Sequence, residues 1–85
     1  MNETDIVERA EALPGHFADR LPAQTMDSLR LMEAGGEYGE LTIELAATLA
    51  GRNVPVTPAE RDELAALLDA MGMPADPIAR LNVQA

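Results

Sequence analysis

Apolar side chains return along this chain at steps of three and four residues in separate blocks, the spacing that lines them up on one stripe of an α-helix. The central block sets Tyr38, Leu41, Leu45 and Leu49 on such a stripe, with Glu40, Glu44 and Ala47 on the opposite side. It predicts a helix from about Glu37 to Ala50, stopped by Gly51, against which the other blocks pack. Ile6, Ala10, Leu13 and Phe17 mark an earlier helix, with Thr4, Asp5 and Glu8 near its start, where an N-cap and negative charge are favoured. Pro14 lacks the N–H that would bond the Ala10 carbonyl, so this helix is expected to stop or kink near Leu13. Gly15 and His16 then lie in a break, and Phe17 in a turn or a short second piece.

Between these blocks, Met26, Leu29 and Met32 share a face of a helix expected to start at Pro22 and to end at the Gly35-Gly36 pair after Ala34. Asn53 to Val56 reads as a short extended connector. Thr57-Pro58-Ala59-Glu60 reads as a capping box, the threonine at the N-cap and Glu60 reaching back to its amide. In the helix that follows, Leu64, Leu67, Leu68 and Met71 oppose Asp62, Ala65, Ala66 and Asp69, and Gly72 closes it. Asp76-Pro77 either caps one more turn that tucks in Ile78 and Leu81, or residues 74–85 form a loose tail. Short connections favour antiparallel neighbours. The expected fold is all-α, a small compact bundle of four main helices forming a single domain over residues 1–85.

Composition agrees with this reading. The 47% of apolar residues are mostly Leu, Ala and Met, with one Phe, one Tyr and no Trp, which suits helices better than sheets. The absence of cysteine removes disulfides, thiolate nucleophiles and cysteine-based zinc sites, and fits a reducing compartment. No leader pattern opens the chain and no apolar run approaches the roughly 20 residues of a membrane span, so a cytoplasmic protein is expected. The net charge of −9 comes from fifteen acids against six bases, all of them arginine. That field disfavours nucleic acid and anionic membranes as partners and attracts basic ones.

Candidate chemistry is sparse. His16 is the only imidazole, too few for a recognisable metal site, and no nucleophile with an oriented base can be assembled around it. The glycines at 35, 36 and 39 lack the preceding strand of a dinucleotide-binding unit. Met26, Met32, Met71 and Met73 read as core filler more readily than as an adaptable groove. No catalytic, cofactor-binding or metal-binding residue is assigned, and the chain is not expected to be an enzyme. Asp27-Ser28-Leu29 matches the tripeptide of acyl carrier proteins, whose serine bears a phosphopantetheine arm. In that family, however, the serine opens a long helix, whereas Ser28 lies inside a short helical pattern.

A second likeness covers about half the chain. Glu37-Tyr38-Gly39 before the Leu41, Glu44, Leu45 and Leu49 pattern resembles the central motif of the MafI-type immunity proteins of bacterial polymorphic toxin systems. Val54-Pro-Val-Thr-Pro-Ala-Glu-Arg61, continuing to Met71-Gly-Met73, resembles the same family, from which Leu41 and Ile43 depart. The resemblance implies a cytoplasmic protein that binds and masks a cognate toxin domain, often a nuclease. Small size and acidity agree with a basic partner. A carrier modified at Ser28, or a homodimeric or adaptor module without catalysis, are the other readings. For an inhibitor, the expected partner surface is the acidic side of the third and fourth helices: Glu37, Tyr38, Glu40, Glu44, Asp62 and Asp69. Ile43 is either an apolar anchor beside them or a packing residue. Glu37 either meets the partner or complements the positive end of its own helix, and Tyr38 can bury its ring with a wet hydroxyl.

Overall fold

A computed structural model describes all 85 residues, Met1 to Ala85. In chain order it contains α1 (Glu3–Phe17), a 3₁₀ turn (Ala18–Arg20), α2 (Ala23–Ala34), α3 (Tyr38–Gly51), a two-residue strand β1 (Pro55–Val56), α4 (Pro58–Ala70), a second 3₁₀ turn (Asp76–Arg80) and β2 (Asn82–Val83). The architecture is an all-α bundle of four helices with one minimal sheet.

The stripe read from the sequence is the centre of the molecule. Leu41, Leu45 and Leu49 are fully buried, and α3 packs against α1, α2, α4 and the second 3₁₀ turn. Leu13, Phe17, Leu29, Val56, Leu64 and Leu67 complete the buried cluster around it, with Ile6, Met26, Met32, Met71, Ile78 and Leu81 packed on its periphery. Removing one buried leucine side chain from such a centre costs about 2–5 kcal/mol, a large share of the stability of a chain this small. Thr42 is also fully buried on α3, a polar residue absent from the stripe as read; its hydroxyl donates to the Tyr38 carbonyl one turn back at 2.8 Å. No buried side-chain polar atom lacks a partner.

Helix ends follow local chemistry, with three corrections. First, α1 does not stop at Leu13 but runs through Pro14 to Phe17, so His16 lies in a helix and not in a break. Proline inside a helix costs about 3 kcal/mol. Complete burial of Phe17 and the contacts of His16 with α4, described below, hold the last turn in place. Second, Pro22 is the extended N-cap of α2, not its first helical residue; its carbonyl accepts the Met26 amide at 3.1 Å. Glu37 is displaced in the same way to the N-cap of α3, without a side-chain capping bond. Third, Gly51 ends α3 as its last helical residue, while Asn53 takes the left-handed conformation (φ 54°). Asparagine is among the few residues besides glycine that tolerate it. The Val54 amide then bonds the Leu49 carbonyl at 3.0 Å, and the equivalent bonds close α2 beyond Gly36 and α4 beyond Gly72. The capping box of α4 forms as read, Thr57 Oγ1 accepting the Glu60 amide at 3.1 Å and Glu60 Oε1 accepting the Thr57 amide at 2.8 Å.

The connector after α3 is a strand. Pro55 and Val56 pair in parallel with Asn82 and Val83, and Gln84 adds a bond from its amide to the Val56 carbonyl at 2.8 Å. The C-terminal residues therefore close over the bundle, with Ile78, Leu81 and Val83 against the core. No helix is long and apolar enough to cross a membrane.

Candidate functional site

Two charged regions differ in how their charges are used. The first is the surface expected from the sequence. Glu37, Glu40, Glu44 and Asp69 are all exposed, and none of their side chains takes part in an ion pair or a hydrogen bond. Glu40 and Glu44 stand one turn apart on the outer side of α3, while Asp62 and Asp69 stand two turns apart on the outer side of α4. Asp62 is not free, because the Arg61 guanidinium lies 3.0 Å from its carboxylate. Tyr38 is half-buried, its hydroxyl 3.4 Å from a carboxylate oxygen of Glu11 on α1, a long contact. Burial, and then the nearby charge of Glu11, push its hydroxyl pKa up, so it stays a neutral donor. Ile43 is half-buried and lies outside the main apolar cluster. No hydrogen bond or ion pair gathers these seven residues into one constellation.

The second region was not foreseen. It lies between α1 and α4, where a groove of about 380 Å³ has a floor of Leu13 and Phe17 flanked by the small side chains Ala12 and Ala59. Two links cross between the helices. Arg9 grips Glu63 with both its Nε and a terminal nitrogen, the Nε bond being 2.8 Å. Two turns further along α1, His16 Nε2 lies 2.6 Å from Glu60 Oε2. Arg20, from the 3₁₀ turn, completes the second link with bonds of 2.9 and 2.6 Å to the two oxygens of Glu60, and donates to the Pro55 carbonyl at 3.2 Å. Its guanidinium also sits 4.7 Å from the centre of the Phe17 ring, which the His16 ring meets edge-on at 4.8 Å.

Glu60 is thus a hub: it caps its own helix, holds Arg20 in a fork and receives His16. Chiefly through the Arg20 bonds, with smaller help from the Thr57 amide and His16 and against the cost of burial, its carboxyl pKa is lowered from the usual 4.5 to about 2. Arg9 lowers Glu63 by the same kind of bond. In the sequence Glu60 read as a capping residue and His16 as an isolated ring in a turn. Arg9 and His16 share an edge of α1 seven residues apart, but only the docked helices show which carboxylates face them.

Neither region presents an assembled reaction centre. The groove is lined by no hydroxyl or thiol side chain beside the His16–Glu60 pair, and no three His, Asp, Glu or Cys side chains converge as metal ligands would. Ser28 is half-buried in the middle of α2, between exposed Asp27 and fully buried Leu29, rather than at a helix start. Gly35, Gly36 and Gly39 form the corner between α2 and α3, where Gly39 leaves room for the Met73 thioether. Scans against protein-family models, curated proteins and solved structures find no match to this chain. The class that the fold defines is a small all-α bundle, a class that by itself assigns no activity.

Proposed function

We propose that this chain is a binding protein of the immunity type, which neutralises a basic toxin domain by direct contact. One observation carries the reading. Four of the six arginines, Arg9, Arg20, Arg30 and Arg61, are spent on carboxylates of the same chain, while Glu37, Glu40, Glu44 and Asp69 are left exposed and without partners. An anionic surface with most of its cations committed, Arg52 and Arg80 alone remaining exposed and unpaired, attracts a cationic partner and speeds encounter. The exposed acids steer, and desolvated apolar contacts hold the complex once formed. The MafI-type motif beginning at Glu37-Tyr38-Gly39 points the same way.

Co-expression tests this directly. A toxin domain encoded beside the gene for this chain should arrest cells alone and spare them when the chain is present, and the two should co-purify. Continued arrest despite soluble expression of both proteins would remove the proposal. Intact mass after expression with a phosphopantetheinyl transferase checks the carrier reading; no added arm on Ser28 is expected.

A further inference from the structure

The groove between α1 and α4 adds a feature that acids alone do not provide. Its volume of about 380 Å³ lies in the range of roughly 300–1,000 Å³ typical of ligand pockets. It is open because Ala12 and Ala59 are exposed and too small to meet across it. Its floor, Leu13 and Phe17, belongs to the buried core and is therefore rigid. The cation on its wall, Arg9, is committed to Glu63, and the Arg20 beneath the Phe17 ring is committed to Glu60. Glu8 lines the same groove, exposed and with no partner, and Glu11 stands three residues along α1 with only the long Tyr38 contact. The free charge beside the apolar slot is therefore negative, which repels an anionic ligand and favours a cationic one.

From this placement we infer that the α1/α4 groove receives an apolar side chain from a basic partner, in a peptide segment whose flanking Lys or Arg residues lie on Glu8 and Glu11. The inference rests on the reading of this chain as a binder of a basic protein, and it names where that partner is anchored. Glu11 lies outside the groove lining, one turn of α1 on from Glu8, and its long Tyr38 contact leads from this outer side of α1 to the start of α3. The acids of α3 then act in encounter and the groove in retention.

The test uses the isotopically labelled full chain, followed by amide chemical shifts, and two synthetic peptides. One is Lys-Leu-Phe-Lys-Lys and the other Glu-Leu-Phe-Glu-Glu, both blocked at their ends. The lysine peptide should shift the amides of Glu8, Ala12, His16 and Ala59 in a saturable way, and the glutamate peptide should not. Ala12→Trp, an exposed helical change that fills the slot, should weaken lysine-peptide binding by about tenfold or more, and the paired change Glu8→Gln with Glu11→Gln should weaken it and flatten its salt dependence. Equal binding of both peptides, shifts confined to Glu40 and Glu44, or no shifts at all would each overturn the inference. Its failure is separable from that of the toxin reading. Full protection of cells by the Ala12→Trp variant would discard the groove and keep the toxin reading, whereas peptide binding at the groove without protection by the wild-type chain would do the reverse.

Discussion

The α1/α4 junction and the outer side of α3 are both rich in charge, yet one holds the molecule together and the other faces only water. At the junction Glu60 and Glu63 each meet a guanidinium from outside their own helix, Glu60 the His16 imidazole as well, and the Glu60 side chain is only 12% exposed. On α3, Glu40 and Glu44 are like charges one turn apart with no cation within bonding reach. A partly buried, multiply bonded pair is costly to break, whereas exposed like charges one turn apart repel, which here offsets the favourable placing of Glu40 in the first turn of α3. Net charge therefore says little about availability: the same −9 includes carboxylates locked into the fold and carboxylates open to a partner.

That contrast can be broken most sharply at Glu60. A carboxyl held at about 2 rather than 4.5 corresponds to on the order of 3 kcal/mol of stability at neutral pH. Glu60→Gln keeps an acceptor for the Thr57 amide but loses the charge, so urea unfolding should show a loss of about 2–3 kcal/mol and melting should fall by roughly 10 °C or more. The same residue fixes the sign of the pH dependence. Its folded pKa lies below its unfolded one, so its contribution is complete above about 4.5 and is lost as pH falls towards 2. Acid unfolding of the wild type should steepen in that window, and Glu60→Gln should flatten it.

Smaller effects separate the two links at the junction. The Arg9–Glu63 pair is a third or more exposed on both sides, and solvent screens it, so Glu63→Gln should cost no more than about 1 kcal/mol in the same unfolding experiment. Smallest of all is the double change Glu40→Gln with Glu44→Gln, which should leave stability within about 0.5 kcal/mol of wild type, because relief of the like-charge pair is offset by loss of the Glu40 charge from the first turn of α3. A large loss from this last variant would show that the α3 acids are structural after all.

Much of this bundle was legible in the sequence, because each helix has its own apolar period. Leu41, Leu45 and Leu49, and likewise Leu64, Leu67 and Leu68, announce their buried faces within a dozen residues, and the Thr57–Glu60 capping box is a purely local device. What escaped is long-range. The continuation of α1 past Pro14 depends on Phe17 entering a core built by other helices and on His16 reaching Glu60, forty-four residues away. Val56 gains a strand partner only once Val83 has come round to it. The roles of Arg9, Arg20, Glu60 and Glu63 were hidden for the same reason: a charge on a helix edge reads as solvated until the neighbouring helix is in place. Asp62 shows the reverse case, an expected contact acid already held by its own neighbour Arg61.

The claim at the centre of this account is that the acids left over from folding are the ones a partner meets. The association rate constant between this chain and the proposed partner, a basic toxin domain, measured by stopped flow at low and high salt for wild type and for the triple change Glu40→Gln, Glu44→Gln and Asp69→Asn, tests it most directly. The variant is predicted to associate more slowly at low salt by a factor of about three to ten, with a shallower salt dependence and an unchanged melting temperature. An association rate equal to wild type at low salt would contradict the claim.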